Sequence, residues 1–255
     1  RNKLLELGGE QQMISLGERN EGYLAKVGEP LIQFYGYKTC GVWNSAEEIA
    51  ANPHFSDDAP GGIRIVDTNN DGSLTPEDRV ALGTPYPDFT WGITNTFQIK
   101  DFDISFLIQG VQGITVLNGD VYYNETKKWN KKYTKNRWVS AEHPGDGKTP
   151  YQNVKTGHDL MLTDYPLQNA SYACLRNFTV GYTLPATAAR KIKLSGVRFY
   201  VSGSNLLYIW GSGYKGINPE SRMTSGNYSS AMISGYQRGG FPLTSTISAG
   251  FDINF

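Results

Sequence analysis

Little in this chain would support a disulfide framework or a catalytic cluster. Two cysteines stand among 255 residues. Cys40 and Cys174 lie far apart and in no CxxC spacing, so they read as two free, partly buried thiols. The three histidines, His54, His143 and His158, fall in separate loop segments without ligand spacing. No GxSxG elbow occurs and no glycine-rich phosphate loop precedes a helix, which leaves no catalytic constellation and argues against an enzyme. Net charge is also absent, with Lys+Arg 24 against Asp+Glu 24. No basic stripe is interleaved with stacking aromatics, and nucleic-acid binding is set aside. There is no run of about 20 apolar residues to form a spanning helix. The chain opens RNKLLELGG, without an initiator Met or a charged-then-apolar leader, and is expected to be a fragment of an exported protein.

What is present is glycine and aromatics: Gly 29, Tyr 16, Phe 11 and Trp 5, with only 19% charged residues. That is the composition of a turn-rich all-β protein, and the length suits one large domain. The mean hydropathy of −0.42 does not exclude a membrane, because spanning strands are apolar on one side only. The stretch 241–255, FPLTSTISAGFDINF, shows this most clearly. Phe241, Leu243, Ser245, Ile247, Ala249, Phe251, Ile253 and Phe255, apolar but for Ser245, alternate with Pro242, Thr244, Thr246, Ser248, Gly250, Asp252 and Asn254. Successive side chains of a strand point to opposite faces, so this strand meets two different surroundings. A lipid-facing barrel strand and the closing strand of a soluble sandwich both show the pattern.

Its neighbours favour the barrel. Residues 89–100 place Phe89, Trp91, Ile93, Phe97 and Ile99 opposite Thr90, Gly92, Thr94, Thr96, Gln98 and Lys100. Residues 102–113 repeat the pattern after a tight turn at Asp101, predicting an antiparallel hairpin. Strand signal returns at 172–184, with Cys174, Phe178, Val180, Tyr182 and Leu184 expected on one side and Arg176 interrupting it at the membrane boundary. It returns again at 197–210. The connections run short, long, short, long: a turn at Asp101, a polar stretch 115–170, the short PATAARKIKLSG, and a second polar loop to Gly240. Outer-membrane barrels sort their connections in this way, with short periplasmic turns and long outer loops. The expected division is therefore 1–88, an extracellular loop region, and 89–255, barrel strands with extracellular loops. Within the first part 31–43 is β-prone, and SAEEIAANP reads as a capped helical turn or two ended by Pro53. The basic run 127–137 reads as a solvated helix face.

The segment 67–78, DTNNDGSLTPED, has calcium-loop spacing. Oxygen-bearing side chains fall at positions 1, 3, 5, 9 and 12 (Asp67, Asn69, Asp71, Thr75, Asp78), Gly72 occupies the sixth, and Ser73 offers a carbonyl at the seventh. Calcium takes six to eight hard oxygens around a tight turn, and glycine makes the turn at position 6 without strain. Asp78 stands where Glu is usual, and its shorter reach predicts weaker binding. An Asx-rich surface turn without metal has the same composition. Loop aromatics Trp129, Tyr133, Trp138, Trp210, Tyr214, Tyr228 and Tyr236 are candidates for stacking on sugar rings or packing against a partner, or for ordering the loops.

Taken in order, DTNNDGSLTPEDRVALGTPYPDFTWGITNTFQIKDFDISFLIQG, SYACLRNFTVGYTLP, VRFYVSGSNLLYIWGSGYKGINPE and the aromatic last strand resemble the SusC/RagA-like TonB-dependent transporters of the Bacteroidetes outer membrane. The resemblance runs from the segment 27–41 to Phe255 and covers the C-terminal part of such a protein. It implies the C-terminal strands of a 22-stranded type of antiparallel transmembrane barrel. It also implies import of an oligosaccharide, or sometimes a peptide, beneath a SusD-like surface lipoprotein. Energy would come from the TonB complex, contacted through a part outside this chain. By position, Asp67, Asn69, Asp71 and Asp78 match the family's acidic loop, and Phe255 matches the aromatic end read by the barrel-insertion machinery. Cys174 stands where the family motif has no cysteine. The competing reading is a soluble, calcium-stabilised carbohydrate-binding β-sandwich.

Overall fold

The computed structural model describes residues 2–8, 13–16, 22–121, 136–151, 160–221 and 234–255. Ahead of residue 89 the strands are short: β1 (Met13–Leu16), β2 (Tyr23–Lys26), β3 (Gln33–Gly36), β4 (Thr39–Val42), β5 (Ile63–Ile65) and β6 (Val80–Gly83). Helix α1 (Ala46–Ala50) starts where the sequence places it, with the Ser45 hydroxyl accepting from the Glu48 N–H and the Glu48 carboxylate accepting from the Asn44 N–H. These reciprocal bonds satisfy N–H groups that a helix start leaves without partners.

From Phe89 the strands lengthen. β7 (Phe89–Ile99) and β8 (Phe102–Gln112) join through a two-residue turn in which Lys100 adopts φ 56°. After β9 (Thr115–Asn118) and β10 (Leu167–Asn169) come β11 (Tyr172–Thr183), helix α2 (Ala186–Lys191), β12 (Gly196–Trp210), β13 (Tyr236–Gln237) and β14 (Thr246–Asn254). The five long strands form one sheet in the order β14-β12-β11-β8-β7, each neighbour antiparallel. This is the meander that the alternation of short and long connections predicts.

Three adjustments follow from backbone chemistry. The last strand begins at Thr246 rather than Phe241. Its pairing with β12 ends at Ser204↔Thr246 because the next residue, Asn205, turns out of the ladder at φ 55° and its carbonyl accepts from the Ser245 hydroxyl. The short connection after β11 contains the two-turn helix α2. The third adjustment concerns phase. Between Leu175 and Asn177 the register shifts against both neighbours, so Arg176 is an extra residue on β11 relative to β8, a bulge.

The remaining strands build a cap at the long-connection end. β1-β2-β3-β6 form one small sheet, β10-β9-β13 another, and β4 pairs with β5. One buried cluster joins Tyr23, Ile32 and Phe34 to Leu117 and Tyr236, so residues from both sides of position 88 share a core. The described strands of the long connections, β9, β10 and β13, are thereby packed elements, and Leu117 and Tyr236 are built on the 22–83 region.

Candidate functional site

The faces of the five-stranded sheet can be read from register. On one side Phe102, Tyr182, Phe199 and Phe251 lie in one row across four strands, Ile104, Val180, Val201 and Ala249 in the next, and Phe106, Phe178, Gly203 and Ile247 in a third. Ile247 is 74% exposed, Phe251 65% and Ile209 66%, and Ile93, Phe97 and Val201 are about half exposed. In a sandwich a second sheet would cover this face. Among the described residues none does, and the sandwich reading is discarded. β8 is 11 residues long, about 35 Å along the strand and roughly 25 Å across a membrane at a 45° tilt, which matches the apolar band of a spanning barrel.

The opposite face carries Thr94, Thr96 and Gln98 of β7, Asp103, Ser105 and Gln109 of β8, Ser202 and Ser204 of β12, and Ser248 and Asp252 of β14. Two charge clusters cross-brace it. Arg198 donates to Asp103 at 3.0 and 2.6 Å and to Asp252 at 3.3 Å, spanning from β8 to β14. Gly181 lies beneath this bridge. A methyl group there would overlap the Asp103 carboxylate and the Arg198 guanidinium, so glycine lets the bridge lie close over the strand, and a larger residue would make the bridge shift. Sequence reasoning missed this brace, although opposite charges at inward positions of adjacent strands were a readable signal.

Arg176 makes the second brace. It donates to Gln109 (3.2 Å), Asn205 (2.8 Å), the Tyr208 hydroxyl (2.9 Å) and Glu220, which lies on the connection after β12. Tyr208 also donates to Glu220 at 2.9 Å. The expectation that Arg176 interrupts the apolar side at a membrane boundary is corrected. The bulge turns Arg176 and Asn177 both to the polar face, in mid-sheet, and brings Leu175 and Ala173 outward in register with Leu207 and Ile209. Cys174 is likewise moved off the apolar row. It is 1% exposed, packed with Tyr172, Val111 and Tyr208, and its thiol is free, as is that of the exposed Cys40.

The candidate contact aromatics are distributed over this end of the sheet. Trp138 donates to the Asn44 side chain at 2.9 Å and meets Tyr151 edge-on, tying 136–151 to the region of α1. Trp210 is 42% exposed and stands edge-on to Tyr214. Tyr214 is buried and donates to Gln237 at 2.8 Å, and Tyr236 is buried in the shared core. These two order the loops from within and leave Trp210 as the most open of the described ones. Trp129, Tyr133 and Tyr228 lie outside the described residues. Of the basic run, 127–135 also lies outside them, and Arg137 is buried rather than solvated. Phe255, 95% exposed, follows the last strand.

In the 67–78 loop, Asn70 at φ 59° and Gly72 at φ 84° make the tight turn. The Asp67 carboxylate accepts from the Asn70 and Gly72 N–H groups at 2.7 and 2.9 Å, Asn69 accepts from the Asp71 N–H, and Asp71 accepts from the Ser73 N–H. Asp78 is fully buried. It accepts from the N–H of Thr75 and Thr68, both at 2.8 Å, and closes a capping box with Thr75. Each of these oxygens thus already has a backbone partner. Among the described residues no three His, Cys, Asp or Glu side chains converge in a way that would hold a metal ion.

Burial acts to raise the Asp78 pKa, but the N–H groups of Thr75, Thr68 and Asn69 together outweigh it and hold the carboxyl below its usual range. A lowered folded-state pKa stabilises above the unfolded value and is lost as pH falls through the folded one. Limited proteolysis across 67–78 should therefore show protection that persists through the ordinary carboxylate range and fails only at lower pH. Asp78→Asn should be cleaved at neutral pH. Cleavage that rises in step with a normal carboxylate titration would contradict this.

No protein-family model matches the chain. It is 31% identical over 270 residues to TonB-dependent receptor P26 of Formosa agariphila, an alignment taking in 100% of this chain and 26% of that protein. It is 27% identical over 157 residues to TonB-dependent receptor SusC of Bacteroides thetaiotaomicron, covering 61% of this chain and 15% of that one. Among solved structures, the RagAB peptide transporter matches with a TM-score of 0.72 at 18% identity, over 98% of this chain and 25% of that chain. At that identity the likeness concerns the fold. The chain spans about a quarter of the length of P26 and of the RagAB chain, and 15% of SusC. On these likenesses of sequence and fold, the chain is a part of a SusC/RagA-like TonB-dependent transporter.

Proposed function

We propose that this chain forms part of the wall and loop cap of an outer-membrane barrel that imports a nutrient, an oligosaccharide or a peptide. A SusD-like lipoprotein would cover the loop end, and a TonB complex would supply energy through a part of the protein outside this chain. The observation that carries the reading is the two-faced sheet with its cap confined to the long-connection end. That end would lie outside the cell, and the Lys100 turn and α2 in the periplasm. Both edge strands, β7 and β14, leave one row of backbone N–H and C=O groups without ladder partners in the described sheet. Such groups are costly in hydrocarbon, so the sheet must close with further strands. The SusC and RagAB relatives support the importer class, and the RagAB structures are described as a peptide importer. The choice between sugar and peptide belongs to the test. Cells carrying the full-length transporter should accumulate labelled oligosaccharide or peptide only while the proton-motive force is intact. Uptake unaffected by an uncoupler or by loss of the surface lipoprotein would reject the assignment.

Calcium at 67–78 stands on spacing, since the loop closes with its own backbone donors. If Asp67, Asn69, Asp71, Ser73, Thr75 and Asp78 supply a site, its affinity should lie at roughly 10⁻⁴–10⁻³ M, as in extracellular modules. Asp71→Ala should then abolish a calcium-dependent protection from protease. Equal cleavage of the unaltered protein in calcium and in chelator would remove the ion from the account.

A further inference from the structure

The short-turn end of the sheet carries a second arrangement. Near that end the outward face carries one row of aromatics, Phe102, Tyr182, Phe199 and Phe251, with the Phe102 and Tyr182 rings 4.8 Å apart, and Val197 and Ile253 form a further row beyond it on β12 and β14. Against this girdle lies a groove of about 500 Å³, walled by Val180, Tyr182, Phe199, Val201 and Phe251, with the small Ala249 leaving room at its floor. In the connection past these rows, α2 and the residues after it expose Arg190, Lys191 and Lys193, with Ile192 58% exposed between them. None of the three cations makes an ion pair among the described residues. They lie in the connection that joins the strands of Tyr182 and Phe199, six to eleven residues from them along the chain, so an apolar slot and a positive patch without an ion pair share the short-turn end of the sheet.

We propose that this groove and patch bind one anionic phospholipid of the leaflet at the short-turn end, an acyl chain in the groove and the phosphate held by Arg190, Lys191 and Lys193. The proposal rests on the barrel reading above. A girdle alone would accept any lipid, whereas unpaired cations at the interface select for a negative headgroup. The groove is shallow, and the girdle aromatics grip the first methylenes rather than enclosing the whole chain.

The test uses the full-length barrel in mild detergent, with native mass spectrometry in the presence of phosphatidylglycerol and of phosphatidylcholine of matched chains. The unaltered protein should retain phosphatidylglycerol roughly tenfold better. Arg190→Gln, Lys191→Gln and Lys193→Asn together should erase that preference; asparagine suits the left-handed backbone of Lys193 at φ 61°. Ala249→Phe, which fills the groove, should lower retention of both lipids. Equal retention by the unaltered barrel, an unchanged preference in the triple variant, or a second barrel copy on this face in place of lipid would overturn the proposal. Quenching of a label on Ile247→Cys by brominated lipid separates the two levels. Quenching without a headgroup preference refutes the lipid site alone, and absence of quenching refutes the membrane reading and the site with it.

Discussion

Lysine in place of Ile247 is expected to destabilise the folded barrel by about 2–4 kcal/mol, the range for a cation placed on the lipid face near the midplane. Ile247 shares its row with Gly203, Phe178 and Phe106, the last lying midway along β8. Thr246, one residue away, points to the polar side, and Thr246→Lys should change stability by no more than about 0.5 kcal/mol. Denaturant titration of the full-length barrel in vesicles gives both values. Because a lysine in any apolar core also destabilises, the deciding measurement is a label at each position exposed to brominated lipid. Quenching at 246 that exceeds quenching at 247 would reverse the faces and undo the topology.

The second large effect lies in the cap. Gly36 ends β3 where the backbone of Leu162 crosses it, with the Tyr37 N–H donating to the Leu162 carbonyl at 2.7 Å and the Asp164 N–H donating to the Tyr37 carbonyl at 3.1 Å. A methyl group at Gly36 would overlap the Leu162 carbonyl, which is backbone and cannot rotate away. Gly36→Ala should therefore destabilise the cap by about 1–3 kcal/mol, as overpacked sites do. The readout is proteolysis at 22–83 and at 160–165, which should accelerate while the strands from β7 onward stay resistant in detergent. Unchanged cap protection would show that this crossing relaxes, and that the long connection is held by other contacts.

The long strands were legible because their two faces meet different media, and period-2 alternation records that over nine residues or more. β7, β8, β11 and β12 fall within a residue or two of the expected bounds for this reason. The cap was much less legible. β9, β10 and β13 are two to four residues long, too short for alternation to show, and each exists only because a distant segment pairs with it. Tyr236 read as a loop aromatic, yet Tyr23, Phe34 and Leu117 bury it. Nothing local to residue 236 encodes partners so distant in sequence. The 67–78 turn was legible in its positions and its glycine, because turn chemistry is local. The engagement of Asp78 with the Thr68 and Thr75 N–H groups depends on how the loop folds over itself, which spacing does not state.

The extra residue at Arg176 also sets how this strand can change length. On either side of it the same outward face is drawn from positions of opposite parity: Phe178, Val180 and Tyr182 below, Ala173 and Leu175 above. Loss of a single residue elsewhere along the strand would turn one half of it over, presenting Cys174 and Tyr172 to lipid or Thr179 and Asn177 in place of the valine and phenylalanine, whereas loss of the extra residue itself would restore unbroken alternation and keep both faces. Loss of two in step with the neighbouring strands would preserve both faces. Away from Arg176, the length of this strand can change without inverting a face only in paired steps. The bulge is the one point where an odd count has been accommodated, held there by an arginine that reaches four partners across the polar face.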